Sequence, residues 1–148
     1  MKHSVVLAAL VAGCSTLPDI PPPPGAPVED RVSRPAPPAS ENVAVLGLVQ
    51  NARADTSAGR LANAGATLER ALRIEPRNPR LWQELARVRL KQEDFTQAES
   101  MAVRSNAWAG SDAALRAENW RLIAEAREAR GDSQGARAAL ETAARMGQ

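Results

Sequence analysis

Few residues in this chain can do chemistry. Its 148 residues include one cysteine, Cys14, one histidine, His3, and no tyrosine. With one thiol at residue 14 and one imidazole at residue 3, there is no set of side chains for a Ser/His or Cys/His nucleophilic system or for a zinc site. Carboxylates are plentiful, but they recur at helix-surface spacing beside arginines. Paired acid catalysis needs carboxyls that face each other across a substrate cleft. Glu118 and Glu125 are two turns apart on one helical stretch, a spacing that belongs to a salt-bridged surface. No glycine-rich phosphate loop occurs. The inventory therefore predicts a protein that is not an enzyme, with no catalytic residue, metal, cofactor or small-molecule substrate. What Cys14 can carry is a lipid. It stands directly behind Val11-Ala12-Gly13, at the end of an apolar run from Val5 that follows the charged Lys2. A charged start, a short apolar stretch, small residues and then a cysteine are the parts of a secretory signal cut before an acylated thiol.

The tetrapeptide Val11-Ala12-Gly13-Cys14 resembles the lipobox of bacterial lipoproteins. That resemblance implies a signal peptide over residues 1–13, fatty acylation of Cys14 (palmitate in type), and anchoring of the mature chain. The apolar run is too short to span a bilayer, and Pro18 stops any helix soon after it. At ~0.8 kcal/mol per buried CH₂, one acyl chain holds a protein marginally and several hold it durably. Ser15 follows the cysteine where an aspartate would favour the inner membrane, so the pattern implies the outer membrane, with the protein facing the periplasm. The lone thiol is then consumed by lipid and no disulfide can form. Removing residues 1–13 also removes Lys2 and His3, leaving 18 basic against 17 acidic side chains. That near-neutral balance, with few aromatics, excludes nucleic acid as a partner.

The elements that follow fall into two parts. Nine of the eleven prolines lie between residues 15 and 39, among them Pro21 to Pro24, with almost no large apolar side chain to bury. Such a stretch cannot build a core; as polyproline II it would reach at most about 80 Å. Residues 14–40 are thus the lipidated cysteine and a spacer that lifts a domain away from the membrane, a reading favoured over a ligand for a proline-binding domain.

From residue 41 to 148 the chain repeats itself. Gly59, Leu61, Ala64, Leu68, Ala71, Ile74 and Pro76 recur at a constant offset of 34 as Glu93, Phe95, Ala98, Ala102, Ser105, Trp108 and Gly110. A third copy, Gly131, Ser133, Ala136, Leu140, Ala143 and Met146, is offset by 38, as is Trp120-x2-Ile123-Ala124 from Trp82-x2-Leu85-Ala86. The extra four residues are expected around Ala109 to Leu115, lengthening the helix that follows. The spacing predicts helices at about 41–57, 61–74, 79–91, 95–107, 112–130 and 134–146, in repeats of about 43–76, 79–110 and 113–146. Ala64, Ala86, Ala98, Ala124 and Ala136 are expected where paired helices approach closely, and Trp82, Trp120, Leu85, Leu68 and Leu140 where adjacent pairs need filling. Asn78 is expected to cap a helix whose first residue is Pro79. Glu69/Arg73, Arg121/Glu125, Arg137/Glu141 and Glu141/Arg145 are spaced to pair along one helix face.

A 34-residue period with Trp-x2-Leu, a small residue next, Ala-x3-large and a closing proline resembles the tetratricopeptide repeat. The resemblance implies an all-α fold, three helix-turn-helix repeats stacked as a short solenoid, with a concave groove lined by the first helix of each pair. By repeat position the groove candidates are Arg53, Arg80, Gln83, Arg87, Lys91 and Arg121, with Val49, Glu84, Glu118, Leu122 and Glu125 among them. The middle helix is the most basic, and its arginines are read either as binders of partner carboxylates or as solubilising charge. The family's chaperone-tail clamp needs Lys and Asn where Val49, Arg53, Glu84, Glu118 and Leu122 stand, which disfavours that ligand.

A lipobox, a proline-rich spacer and one small tetratricopeptide domain together resemble the LpoP-type lipoproteins. That likeness implies a periplasmic protein partner, a class A (1b-type) penicillin-binding protein, activated from the outer membrane during peptidoglycan synthesis and cell-wall biogenesis. A pilotin-like or assembly lipoprotein for a pilus or secretion system shares the architecture and stays as the alternative.

Overall fold

The computed structural model describes residues 42–146. Cys14, the expected signal segment 1–13 and the proline-rich segment 14–40 lie outside the described residues. Within them the chain forms six helices: α1 Val43–Ser57, α2 Leu61–Ile74, α3 Pro79–Lys91, α4 Phe95–Trp108, α5 Ala113–Ala129 and α6 Ser133–Met146. No strand occurs among the described residues. The helices pair as α1/α2, α3/α4 and α5/α6, and the pairs stack in chain order.

Local signals account for the ends. The Asn78 carboxamide accepts from the Arg80 N–H at 3.0 Å, with Pro79 at the first helical position, where a missing N–H leaves no gap in the hydrogen bonding. Asn42, Asp94 and Asp112 cap α1, α4 and α5 in the same way. The turn inside each pair passes through the left-handed region at one equivalent residue: Gly59 at φ 73°, Gly131 at φ 82° and, in the middle repeat, Glu93 at φ 61°. Glycine adopts that conformation freely; glutamate does so at a cost. The four-residue offset of the third repeat is one added helical turn. α5 has 17 residues against 13 in α3, and the addition precedes Trp120.

Two cores hold the stack. Val45, Leu68, Leu72, Leu81, Leu85 and Val88 pack between the first two pairs. Between the second and third, Ile123 is surrounded by Ala86, Ala102, Ala124, Ala136 and Ala139, which lets the helices approach closely. The five alanines expected at close approaches are all buried.

Several packing expectations need correction. Trp82 and Trp120 are half-buried rather than buried, because each ring lies along the edge of its core. Leu140, expected to fill a gap between pairs, is 51% exposed; it belongs to the last helix, and no further pair follows among the described residues to cover it. The four pairs expected along single helices do not form among the described residues; apart from the local pair of Arg60 with Asp55, the ion pairs there join residues of different repeats or different helices. Arg89 of α3 reaches back to Glu69 of α2 at 2.6 Å, and Arg127 of α5, its equivalent in the next repeat, reaches back to Glu99 of α4 at 2.7 Å. A long guanidinium side chain spans the gap between packed helices, and a partly shielded pair there is stronger than an exposed one along a helix.

Candidate partner-binding surfaces

Arg80, Glu84, Arg87 and Lys91 are spaced by four, three and four residues, so they form one stripe along α3. The stripe faces α1 on one side and α5 on the other. Arg53 of α1 is paired with Glu84 of α3, and Arg87 of α3 with Glu118 of α5 at 2.9 Å. Both pairs join residues 31 apart in sequence, but because α5 is offset by 38 from α3, Glu118 stands one helical turn ahead of Leu122, the equivalent of Glu84, so the two contacts share their chemistry and not their register. Arg80 reaches Asp112, the cap of α5, at 3.1 Å. The groove expected to be basic is therefore a mosaic in which Arg53, Arg80 and Arg87 each meet a carboxylate. Lys91 and Arg121 form no ion pair among the described residues.

The six candidates do not converge on one point. Arg53 and Arg80 border a depression of about 290 Å³ between α1 and α3, floored by Val45, Val49, Pro79 and Leu81. Arg87 and Lys91 border a second, with Leu122 and Glu125. Arg121 lies beside α6, in a depression that includes Arg137 and the exposed Leu140. Gln83 is turned inward and only 6% exposed: its Nε2 donates to Glu118 Oε2 at 3.2 Å and to Asn119 Oδ1 at 3.1 Å. Leu122 is likewise buried.

Beneath the stripe runs a polar network that composition did not reveal. Asn119 is fully buried; its Nδ2 donates to Ser105 Oγ at 2.7 Å and to Asn106 Oδ1 at 2.9 Å, and Ser105 Oγ donates to the Pro79 carbonyl at 2.8 Å. Gln83, Asn119 and Ser105 thus tie α3, α4 and α5 into one register, since buried polar groups are costly unless mutually satisfied. The Arg-to-Glu spacing of 31, found in both pairs, was the sequence signal that the groove arginines are structural partners as well as candidates for recognition.

The other side of α3 differs. Trp82 lies about half a turn round the helix from the stripe, at roughly 100° per residue. Its Nε1 donates to the Pro76 carbonyl at 2.8 Å, and the Arg104 guanidinium of α4 lies over its ring, 4.8 Å from the centroid. One turn beyond Arg104, Trp108 is 44% exposed and carries the Arg77 guanidinium at 5.1 Å.

A family model described as tetratricopeptide repeat matches residues 56–118. Among solved structures, the globular C-terminal domain of LpoP from P. aeruginosa is 45% identical, with a TM-score of 0.68, and the match covers 69% of this chain and 96% of that one. The chain belongs to the tetratricopeptide-repeat proteins of the LpoP family. No curated protein matches it. As a tetratricopeptide-repeat protein, the described domain is a protein-interaction module. Among the described residues no group of His, Cys, Asp and Glu converges to hold a metal ion.

Proposed function

We propose that this chain is a lipid-anchored periplasmic activator of a class A penicillin-binding protein. In this reading Cys14 carries the acyl anchor in the outer membrane, residues 14–40 act as the spacer, and residues 41–148 engage the synthase. The observation that carries the reading is the 45% identity to the LpoP domain over 96% of its length, in a chain whose leader follows the lipoprotein pattern. The absence of an imidazole and a thiol from residues 15–148 supports a binding role over a catalytic one. The groove face, with Arg80, Arg87 and Lys91 exposed on the α3 stripe, Arg53 and Arg121 exposed on the flanking helices α1 and α5, and Gln83 supporting Glu118 from below, is the proposed partner-facing wall.

The test is reconstitution. The purified full chain, added to a purified class A synthase and its lipid-linked substrate, should raise the rate of glycan polymerisation. An unchanged rate would sink the proposal. Fractionation of cells carrying Cys14→Ser tests the anchor separately, with loss of membrane association as the expected outcome.

A further inference from the structure

The arginines of the domain divide by what they touch. In the groove Arg53, Arg80 and Arg87 hold carboxylates, whereas Arg77 and Arg104 are exposed, form no ion pair and donate no side-chain hydrogen bond among the described residues. Each instead places its guanidinium carbon over a tryptophan ring, Arg77 at 5.1 Å from the Trp108 centroid and Arg104 at 4.8 Å from that of Trp82. A cation held over a ring spends none of its N–H donors, which stay available as the fork that matches a carboxylate. The carboxylate nearest in sequence, Glu75, is already engaged by Asn78 Nδ2 at 2.8 Å. Trp82 is tied to the Pro76 carbonyl, so the platform is rigid before any partner arrives. Trp108, 44% exposed, adds an apolar anchor beside the two charges.

We propose that the corner formed by Arg77, Trp82, Arg104 and Trp108 is a second interaction surface that takes an acidic segment of a partner protein. Tryptophan and arginine together are the residue types that dominate the centres of protein interfaces, and preorganised side chains lose little freedom on binding. The two unpaired cations set the sign of the partner. A bilayer is a poorer occupant, because surface attachment to anionic lipid draws on clusters of four to eight basic residues or an amphipathic helix. A glycan is poorer too, because a guanidinium already occupies one face of each ring, leaving less of it for a sugar to stack on. The inference rests on the domain being a protein-binding module but not on the identity of the synthase.

Tryptophan emission of the purified full chain reads the corner directly. A short synthetic peptide alternating Glu and Leu should shift the emission and bind ~tenfold or more tightly than the same peptide with Gln for Glu, and its affinity should fall as salt is raised. R77E/R104E should lose ~tenfold or more of that affinity, R77K/R104K should fall between, and R87E/K91E should retain it. Melting curves confirm that each variant is folded. Unchanged binding by R77E/R104E, no emission change with peptide, or a change elicited only by phosphatidylglycerol vesicles would each overturn the proposal. Peptide binding without any effect of the chain on synthase activity would sink the proposed function and leave the corner standing. Synthase activation with no peptide binding would do the reverse.

Discussion

The two sides of α3 use the same residue type in opposite ways. On the groove side Arg80 and Arg87 bind Asp112 and Glu118 of the next repeat. On the other side Trp82 and Trp108 hold Arg104 and Arg77, and no carboxylate among the described residues answers the charge. An arginine that neutralises a neighbouring helix sets the register between repeats, and its capacity to attract a partner is reduced in proportion. An arginine stacked on an aromatic ring keeps its full charge and all its donors. Charge density along a helix therefore does not locate a binding surface in this protein; the fate of each charge does.

The largest expected effect comes from the residue that supports both sides at once. Leu81 is 1% exposed and packs in the core between the first two pairs. Leu81→Ala should cost about 2–5 kcal/mol, the range for a buried leucine whose site relaxes only in part. Thermal or urea unfolding measures it. Synthase activation and acidic-peptide binding should weaken together; if one survives intact, the two surfaces do not share this helix as a common support.

Below that stands the network under the groove. Asn119→Ala removes one partner each from Gln83, Ser105 and Asn106, and should cost about 1–3 kcal/mol as those groups lose their hydrogen bonds. Ser105 and Asn106 lie between Arg104 and Trp108 on α4, but no side chain of the corner hydrogen-bonds to the network, so in the folded fraction peptide binding should weaken less than synthase activation. A stability loss under about 0.5 kcal/mol, the size of an ordinary surface substitution, would mean that water replaces the amide at no penalty.

How much of this was legible in the sequence follows from what each residue does. The constant repeat spacing located the helices: α2 and α3 begin and end where it placed them, and the other four differ by a residue or two at their ends. Alanine at close approaches was legible for the same reason, since a small residue recurring at one register position marks where two backbones come near each other. The environment of the long side chains was not. Trp82 and Trp120 share a register position with core-filling residues, yet their rings extend past the core to its edge. Ser105 shares its register position with Ala71 and Ala143, but its hydrogen bond with the buried Asn119, a residue the repeat spacing does not single out, could not be read from that spacing. The corner was illegible because Arg77 lies in the connection ahead of α3 and Trp108 at the far end of α4, so their stacking exists only after the helices have docked.

The two groove ion pairs allow a smaller test. Double-mutant cycles on Arg53/Glu84 and Arg87/Glu118 should each give a coupling of about 0.2–1 kcal/mol that shrinks as salt is added, because both pairs are largely solvated. Similar values for the two would show that the one-turn displacement of Glu118 relative to Glu84 leaves the strength of the contact unchanged. A coupling near zero for Arg87 would free it for recognition and erase the contrast with Arg104.

The smallest expected effect is a gain. Glu93 holds φ 61° at the position where the other two repeats have Gly59 and Gly131, so the middle turn adopts a left-handed conformation without the residue suited to it. A side chain there costs about 1–2 kcal/mol relative to right-handed backbone. Glycine removes that strain but gives back roughly 0.5–1 kcal/mol through the greater freedom of the unfolded chain. The difference predicts that Glu93→Gly stabilises the domain by about 0.5 kcal/mol, a rise of roughly 2–4 °C in Tm for a domain of this size. Glu93 is exposed and belongs to neither side of α3, so synthase activation and peptide binding should both stay at their unaltered values. A raised Tm with both functions intact would separate stability from recognition. A lowered Tm would show that the glutamate side chain, and not the backbone, holds this turn, while a loss at only one surface would reveal that the angle between α3 and α4 tunes that surface.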